Sequence, residues 1–175
     1  MQDSLNVTII QTHLAWENPI ENRSHFDMLL TSLKDTHLVV LPEMFTTGFT
    51  MNAEQASEIS EGETLAWLQQ WAKRINAAIT GSVAVNENGN YYNRLYFVYP
   101  DGSFKTYDKK HLFTLANEHH TYNAGKERLI VEYLGWKICP LVCYDHRIID
   151  GAEAARFNNE LKENLGKNFA YKLAI

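Results

Sequence analysis

Cysteine is nearly missing from this sequence: there are two in 175 residues, Cys139 and Cys143. On an extended strand, at about 3.3 Å per residue, their C-x-x-x-C spacing puts the Cα atoms roughly 13 Å apart. That is too far for a disulfide. A disulfide-stapled secreted scaffold is therefore excluded, and a reducing compartment, the cytoplasm, is expected. Positive charge is also scarce. Sixteen Lys and Arg face 21 Asp and Glu, a net charge of −5, and a nucleic-acid partner, which needs a basic surface, is not expected. No apolar run approaches the ~20 residues of a membrane-spanning helix. The opening "MQDSLNVTIIQTHLAW" has no basic segment and no small-residue cleavage site, so no secretory leader is read. Internal repeats and low-complexity linkers are absent too. What remains has a globular balance, 45% hydrophobic and 21% charged, in a chain of one-domain length. A complete domain of this size can bury about 70% of the surface its unfolded chain exposes, without help from disulfide or metal.

The hydrophobic pattern alternates between short strands and amphipathic helices. "NVTIIQ" (6–11) reads as a strand, and "HLVVLP" (37–42) as a buried strand ended by proline. Between them, Asn18 is placed to cap a helix with Pro19 at its first position and Glu21 three residues on. Phe26, Leu29, Leu30 and Leu33 give that helix one apolar face. "ETLAWLQQWAKRINA" predicts a second helix through Leu65, Leu68, Ala72 and Ile75, with Lys73 and Arg74 near its C-terminal end. "AAITGSVAV", "YYNRLYFVY", "FKTYD", "RLIVEYL" and "KICPLV" then read as strands, separated by the turn sequences "NENGN" and "PDGS" where turns are tight. The order predicts a layered α/β domain.

Ligands in open α/β sheets gather at the carboxyl ends of strands. Three chemically useful residues stand there: Glu43 after "HLVVLP", Lys109 after "FKTYD" and Cys143 after "KICPLV". A thiol, a carboxylate and an ammonium are the parts needed for acyl transfer through a thioester, as nucleophile, base and oxyanion partner. Each also has a plainer reading. Cysteine packs as a small buried hydrophobe, a glutamate caps turns, and Lys109–Lys110 fits a solvated strand end. Spacing alone does not bring the three together. His111, His119 and His120 with a cysteine are a further, zinc-binding alternative, but they lack C-x-x-C or H-E-x-x-H spacing.

The motifs "LPEMF", "YDKKHLF" and "PLVCYDHR", in this order and each after a predicted strand, resemble those of the nitrilase, or carbon-nitrogen hydrolase, superfamily. The resemblance implies an α/β fold, a four-layer αββα sandwich, with a Glu-Lys-Cys triad. It selects Lys109 over Lys110, because "YDKKHLF" matches the family's Tyr-x-Lys-x-His-Leu-Phe. It implies Glu43 as base, Lys109 and the Tyr144 backbone N–H as oxyanion partners, and Cys143 as nucleophile. "NEHHTYNAG" puts Glu118 in the place of a second active-site glutamate, and Phe45 and Phe49 become candidates to wall the pocket. "PEMFTTGFTM" and the segments around Lys109, Glu118 and Cys143 look closest to the bacterial ω-amidase branch, which hydrolyses the terminal amide of α-keto acids such as 2-oxoglutaramate. That implies a small-molecule amide as substrate, no metal or organic cofactor, and a homodimer as one arrangement.

The resemblance covers about residues 5–147. Beyond Arg147 the family's Phe-Pro continuation and second-half elements are replaced by "IIDGAEAAR" and a polar tail, and His146 stands where the family prefers a hydrophobic residue. The expected organisation is residues 1–147 as the N-terminal part of a carbon-nitrogen hydrolase domain, truncated after the nucleophile strand, and 148–175 as a divergent, helical tail. The expected alternative to an active amidase is a non-catalytic nitrilase-like fragment that associates with a full-length homologue.

Overall fold

Period-2 alternation of apolar side chains sets the central sheet, and two helical stripes set which face they cover. The computed structural model describes residues 3–148; all but the first residue of the tail predicted to be helical lies outside them. Strand β1 (Val7–Ile9) is followed by α1 (Pro19–Thr31), β2 (Leu38–Val40), a one-turn α2 (Ala53–Ala56), β3 (Glu58–Ile59) and α3 (Glu63–Ile75). Then come β4 (Ala78–Glu87), β5 (Asn90–Val98) and β6 (Phe104–Asp108). The sheet order is β1-β2-β4-β5-β6, parallel through β4 and antiparallel in its last two steps, with β3 also paired to β4.

The α1 start forms as its sequence predicts. Asn18 Oδ1 accepts from Glu21 N at 3.1 Å, and the Glu21 carboxylate accepts from Asn18 Nδ2 at 2.8 Å. Two indoles lock the helices together: Trp67 and Trp71 Nε1 both donate to Asp27 Oδ1, at 2.8 and 2.6 Å. On the helix-covered face, Val39, Leu41, Ile79, Val83, Tyr96 and Val98 pack against Phe26, Leu30, Leu65, Leu68 and Ala72. Burying each large apolar side chain here stabilises the fold by about 1.5–3 kcal/mol. The alternate residues Leu38, Ala78, Leu95, Phe97 and Tyr107 face the other way, toward Val131 and Val142.

That second face is covered by an antiparallel hairpin, β7 (Val131–Tyr133) and β8 (Trp136–Ile138). The Tyr133 ring lies 6.2 Å from Phe97 and 5.9 Å from Tyr99. The described residues thus build three of the four expected layers: helices, a six-stranded sheet and the start of a second sheet. One expectation is corrected. The run "KICPLV" is not one strand leading into Cys143, because β8 ends at Ile138 and Cys139–Val142 are irregular. Pro140 lacks a ladder N–H, and the Val142 N–H bonds a side chain, Asp145, instead. Among the described residues β8 pairs only with β7.

Candidate active site

Turn chemistry fixes the register that builds the site. Asn88 and Gly89 both take positive φ, 56° and 81°, the pair of conformations a tight type I′ hairpin needs. The resulting register runs β4 against β5 from Glu87↔Asn90, and β6 against β5 through Arg94↔Asp108. Arg94 clamps it, giving Nε to Asp108 Oδ1 at 2.7 Å and Nη1 to Glu87 Oε1 at 2.8 Å. The next ladder bond, Lys109 N to Asn93 O at 2.9 Å, sets Lys109 beside Asn93. Gly125 N caps this strand end by donating to Lys109 O at 3.0 Å. Only glycine fits there, since a Cβ would sit 2.0 Å from Asp108 O.

Glu43 arrives along the opposite strand edge. Residues 41–45 run beside β4, with Leu41 N donating to Thr80 O and Phe45 N to Ser82 O, and Met44 N to Ser82 Oγ at 2.9 Å. Met44 takes φ 45°, an uncommon left-handed turn for a non-glycine residue. Buried Asn22 on α1 holds the same loop by donating to Thr46 O at 2.7 Å. Glu118 opens the one-turn helix α4 (Glu118–Thr121), where its Oε2 accepts from Phe113 N at 2.6 Å.

These segments bring four side chains together. Lys109 Nζ, fully buried, donates to Glu43 Oε1 at 2.8 Å and to Glu118 Oε2 at 2.9 Å. Asn93 Nδ2 donates to the same two carboxylates, at 2.8 Å to Glu43 and 3.2 Å to Glu118. Burial alone would push the Lys109 ammonium toward neutrality; Glu43, then Glu118, outweigh it and raise its pKa, so the amine stays charged. Phe49 puts its ring 5.1 Å from Lys109 Nζ.

The Cys143 thiol lies near enough to this cluster for the Glu43 carboxylate and the Lys109 ammonium to shift its titration in opposite directions. Cys143 is solvent-exposed as a residue, yet burial of its thiol side, then the Glu43 charge and hydrogen bond, push its pKa up to about 11, with Lys109 pulling the other way. With a pKa raised this far, the thiol is protonated near neutral pH, and a carboxylate stands near it. A nucleophile in hydrogen-bond reach of a base, with the base oriented by further groups, is the arrangement that covalent catalysis uses. Cys143 sits at φ 44° on the turn into α5 (Asp145–Ile148). The Tyr144 ring packs 5.1 Å from Phe113.

The structure thus gathers Glu43, Lys109, Glu118 and Cys143, with Phe49 alongside. Phe45 is a correction: it is fully buried in the helix-side core, 5.5 Å from Phe26 and 5.8 Å from Trp67, and does not wall a pocket at Cys143. Its backbone N–H is held on Ser82 O of β4, and its ring packs with Leu41 in the helix-side core. The histidines do not converge with a cysteine. His119 and His120 stack at 3.9 Å, His111 bonds Asp145, and no metal-holding group of His, Cys, Asp or Glu occurs among the described residues. No helix among them is long and apolar enough to cross a membrane.

Sequence reasoning missed Asn93 and Asp145. Asn93 carries a signal in hindsight: an asparagine inside "YYNRLYFVY" is poorly suited to a strand and, once buried, needs partners. Asp145, 1% exposed, accepts from Tyr107, His111 and Val142; no periodicity marks it.

The carbon-nitrogen hydrolase pattern matches residues 7–157. The chain is 50% identical over 144 residues to the omega-amidase YafV of Yersinia enterocolitica, covering 82% of this chain and 56% of that protein. It is 33% identical over 145 residues to the 2-oxoglutaramate amidase of Bacillus subtilis, with 81% and 56% covered. Among solved structures, XC1258 from Xanthomonas campestris, a CN-hydrolase superfamily protein with an arsenic adduct in the active site, superposes with a TM-score of 0.79 at 45% identity, covering 82% of this chain and 54% of that one. The chain spans about half the length of the curated relatives it matches. With its α/β fold and the pattern spanning most of its length, the chain belongs to the carbon-nitrogen hydrolase family, in the nitrilase superfamily.

Proposed function

We propose that this chain carries the machinery of an ω-amidase, hydrolysing the terminal amide of small α-keto acid amides of the 2-oxoglutaramate type. The observation that carries the reading is the buried Lys109 ammonium held between Glu43 and Glu118, with Asn93 also on Glu43 Oε1, beside a Cys143 thiol whose titration the Glu43 charge raises. The names of the relatives, omega-amidase and 2-oxoglutaramate amidase, supply the substrate class. In the proposed cycle, Glu43 takes the thiol proton as sulfur attacks the amide carbon. The charge that develops on oxygen meets the Lys109 ammonium and the Tyr144 N–H. Glu43 passes the proton to the leaving nitrogen, ammonia departs, and a thioester remains on Cys143. Glu43 then takes a proton from water, which attacks the thioester and frees the acid and the thiol. Glu118 holds Lys109 in place throughout.

The test is to incubate the purified chain with 2-oxoglutaramate and measure ammonia. Release that disappears in Cys143→Ala is the expected result. A folded chain that releases none overturns the reading and favours a nitrilase-like chain without catalysis.

A further inference from the structure

Lys109 and Cys143 belong to segments far apart in the chain, and a single buried carboxylate ties their backbones together. Asp145 Oδ1 accepts from His111 N at 2.9 Å and lies 2.9 Å from His111 Nδ1, which donates in its Nδ1–H tautomer. Oδ2 accepts from Tyr107 O–H at 2.8 Å and from Val142 N at 3.0 Å. Tyr107 in turn accepts from Lys110 N at 3.1 Å. The residues on both sides of Lys109, and Val142 just before Cys143, thus report to one side chain. The turn that results holds Cys143 at φ 44°, closed by Asp145 N to Val142 O and His146 N to Cys143 O, both at 3.1 Å. A left-handed cysteine costs roughly 1–2 kcal/mol, so the surroundings must impose it.

We propose that Asp145 is the positioning residue of the nucleophile: its carboxylate imposes the left-handed turn at Cys143 and aligns that turn with the strand end that carries Lys109. The proposal rests on reading Cys143 as the nucleophile. It also explains why a carboxylate stands here. Each oxygen meets a backbone N–H, and an amide would turn its own N–H₂ against one of them. The charged groups facing Cys143 are Glu43, Lys109 and Glu118.

The test needs no substrate, so its outcome is separable from that of the amidase assay. Iodoacetamide labelling of Cys143 is followed against pH by mass spectrometry, with Cys139 as internal reference, in the native chain, Glu43→Gln, Asp145→Ala and the double variant. In Asp145→Ala the thiol leaves Glu43, and its midpoint falls from about 11 toward an ordinary thiol value near ~8.5. Adding Glu43→Gln then changes the labelling rate by less than about twofold. A residue that serves only stability would lower the melting temperature while leaving the effect of Glu43→Gln at its native size, and that result overturns the proposal. If Asp145→Ala does not fold, Asp145→Asn and Tyr107→Phe carry the same comparison. Shrinkage of the Glu43 effect supports the proposal, and an undiminished effect overturns it.

Discussion

Glu43→Gln should make Cys143 more reactive toward a simple alkylating agent while stopping turnover. In the native site the thiol is held near pKa 11, first by burial and then by the charge and hydrogen bond of Glu43. At pH 8 such a thiol is ionised in about one molecule in a thousand. Glutamine keeps an oxygen for Lys109 and Asn93 but removes the negative charge, and Lys109 is left to favour the thiolate. Each unit by which the pKa falls raises the thiolate population tenfold and lowers its intrinsic nucleophilicity about threefold, a net gain of about threefold in alkylation. If Glu43 is the general base, amide hydrolysis falls by about 10²–10⁴ in the same variant. The assay is the iodoacetamide rate at Cys143 between pH 7 and 9.5. Native protein should gain close to tenfold per pH unit without levelling, and the variant should start higher and level sooner. A variant that labels more slowly than native protein across this range, or with an unchanged profile, would refute the electrostatic reasoning.

Gly125→Ala forces a Cβ into the Asp108 carbonyl at the strand end beside Lys109. Overpacking of this kind costs about 1–3 kcal/mol, read as a melting temperature lower by about 2–4 °C per kcal/mol. Glu58 has its pKa raised chiefly by burial, and its Oε1 lacks a partner while Oε2 accepts from Thr64. Ionising this side chain therefore opposes folding above its unfolded pKa. Glu58→Gln should raise the melting temperature at pH 7, with the gain vanishing at about pH 4 and below, where the native glutamate is protonated in both states. At the alkaline end, Lys109, Tyr107 and Tyr122 are all raised. The unfolded chain loses these protons first, so their contribution is complete below about pH 10 and is lost as pH climbs through the folded values. Each group steepens the decline by up to about 1.4 kcal/mol per pH unit. Urea titrations from pH 8 to 11 check the slope, and stability that stays flat or rises would contradict it.

What the sequence made legible follows the local rules that win in this fold. Asn18 and Glu21 cap a helix because both bonds form within four residues. The Asn-Gly turn at 88–89 needs only its own backbone, and through it the β4–β5 register becomes readable. The approach to Cys143 and the side chain of Phe45 lie elsewhere than expected because hydrogen bonds, not apolar composition, decide their positions. Phe45 belongs to a turn pinned to β4 through Ser82, and its ring enters the helix-side core. The apolar run "KICPLV" has strand composition, but Pro140 removes a ladder donor and a carboxylate, Asp145, takes the Val142 N–H. The hairpin turn before it went unread because Leu134 adopts φ 51°, a conformation leucine seldom takes.

The same division separates the two kinds of site residue. Glu43, Lys109 and Cys143 sit next to motifs, so pattern finds them. Asn93 acts through contacts 25 and 50 positions away, and Asp145, though inside the motif around Cys143, through bonds to Tyr107 and His111, 38 and 34 positions away, as well as to nearby Val142; local pattern does not encode the distant ones. Yet they hold the geometry. Asn93 donates to Glu43 and Glu118 alike, and with Lys109 it occupies Glu43 Oε1, which leaves the rest of that carboxylate for the thiol. A buried lysine shared by two glutamates would otherwise be free to draw either one fully onto itself. A neutral donor placed on both carboxylates keeps the ammonium between them, and keeps one carboxylate available to Cys143.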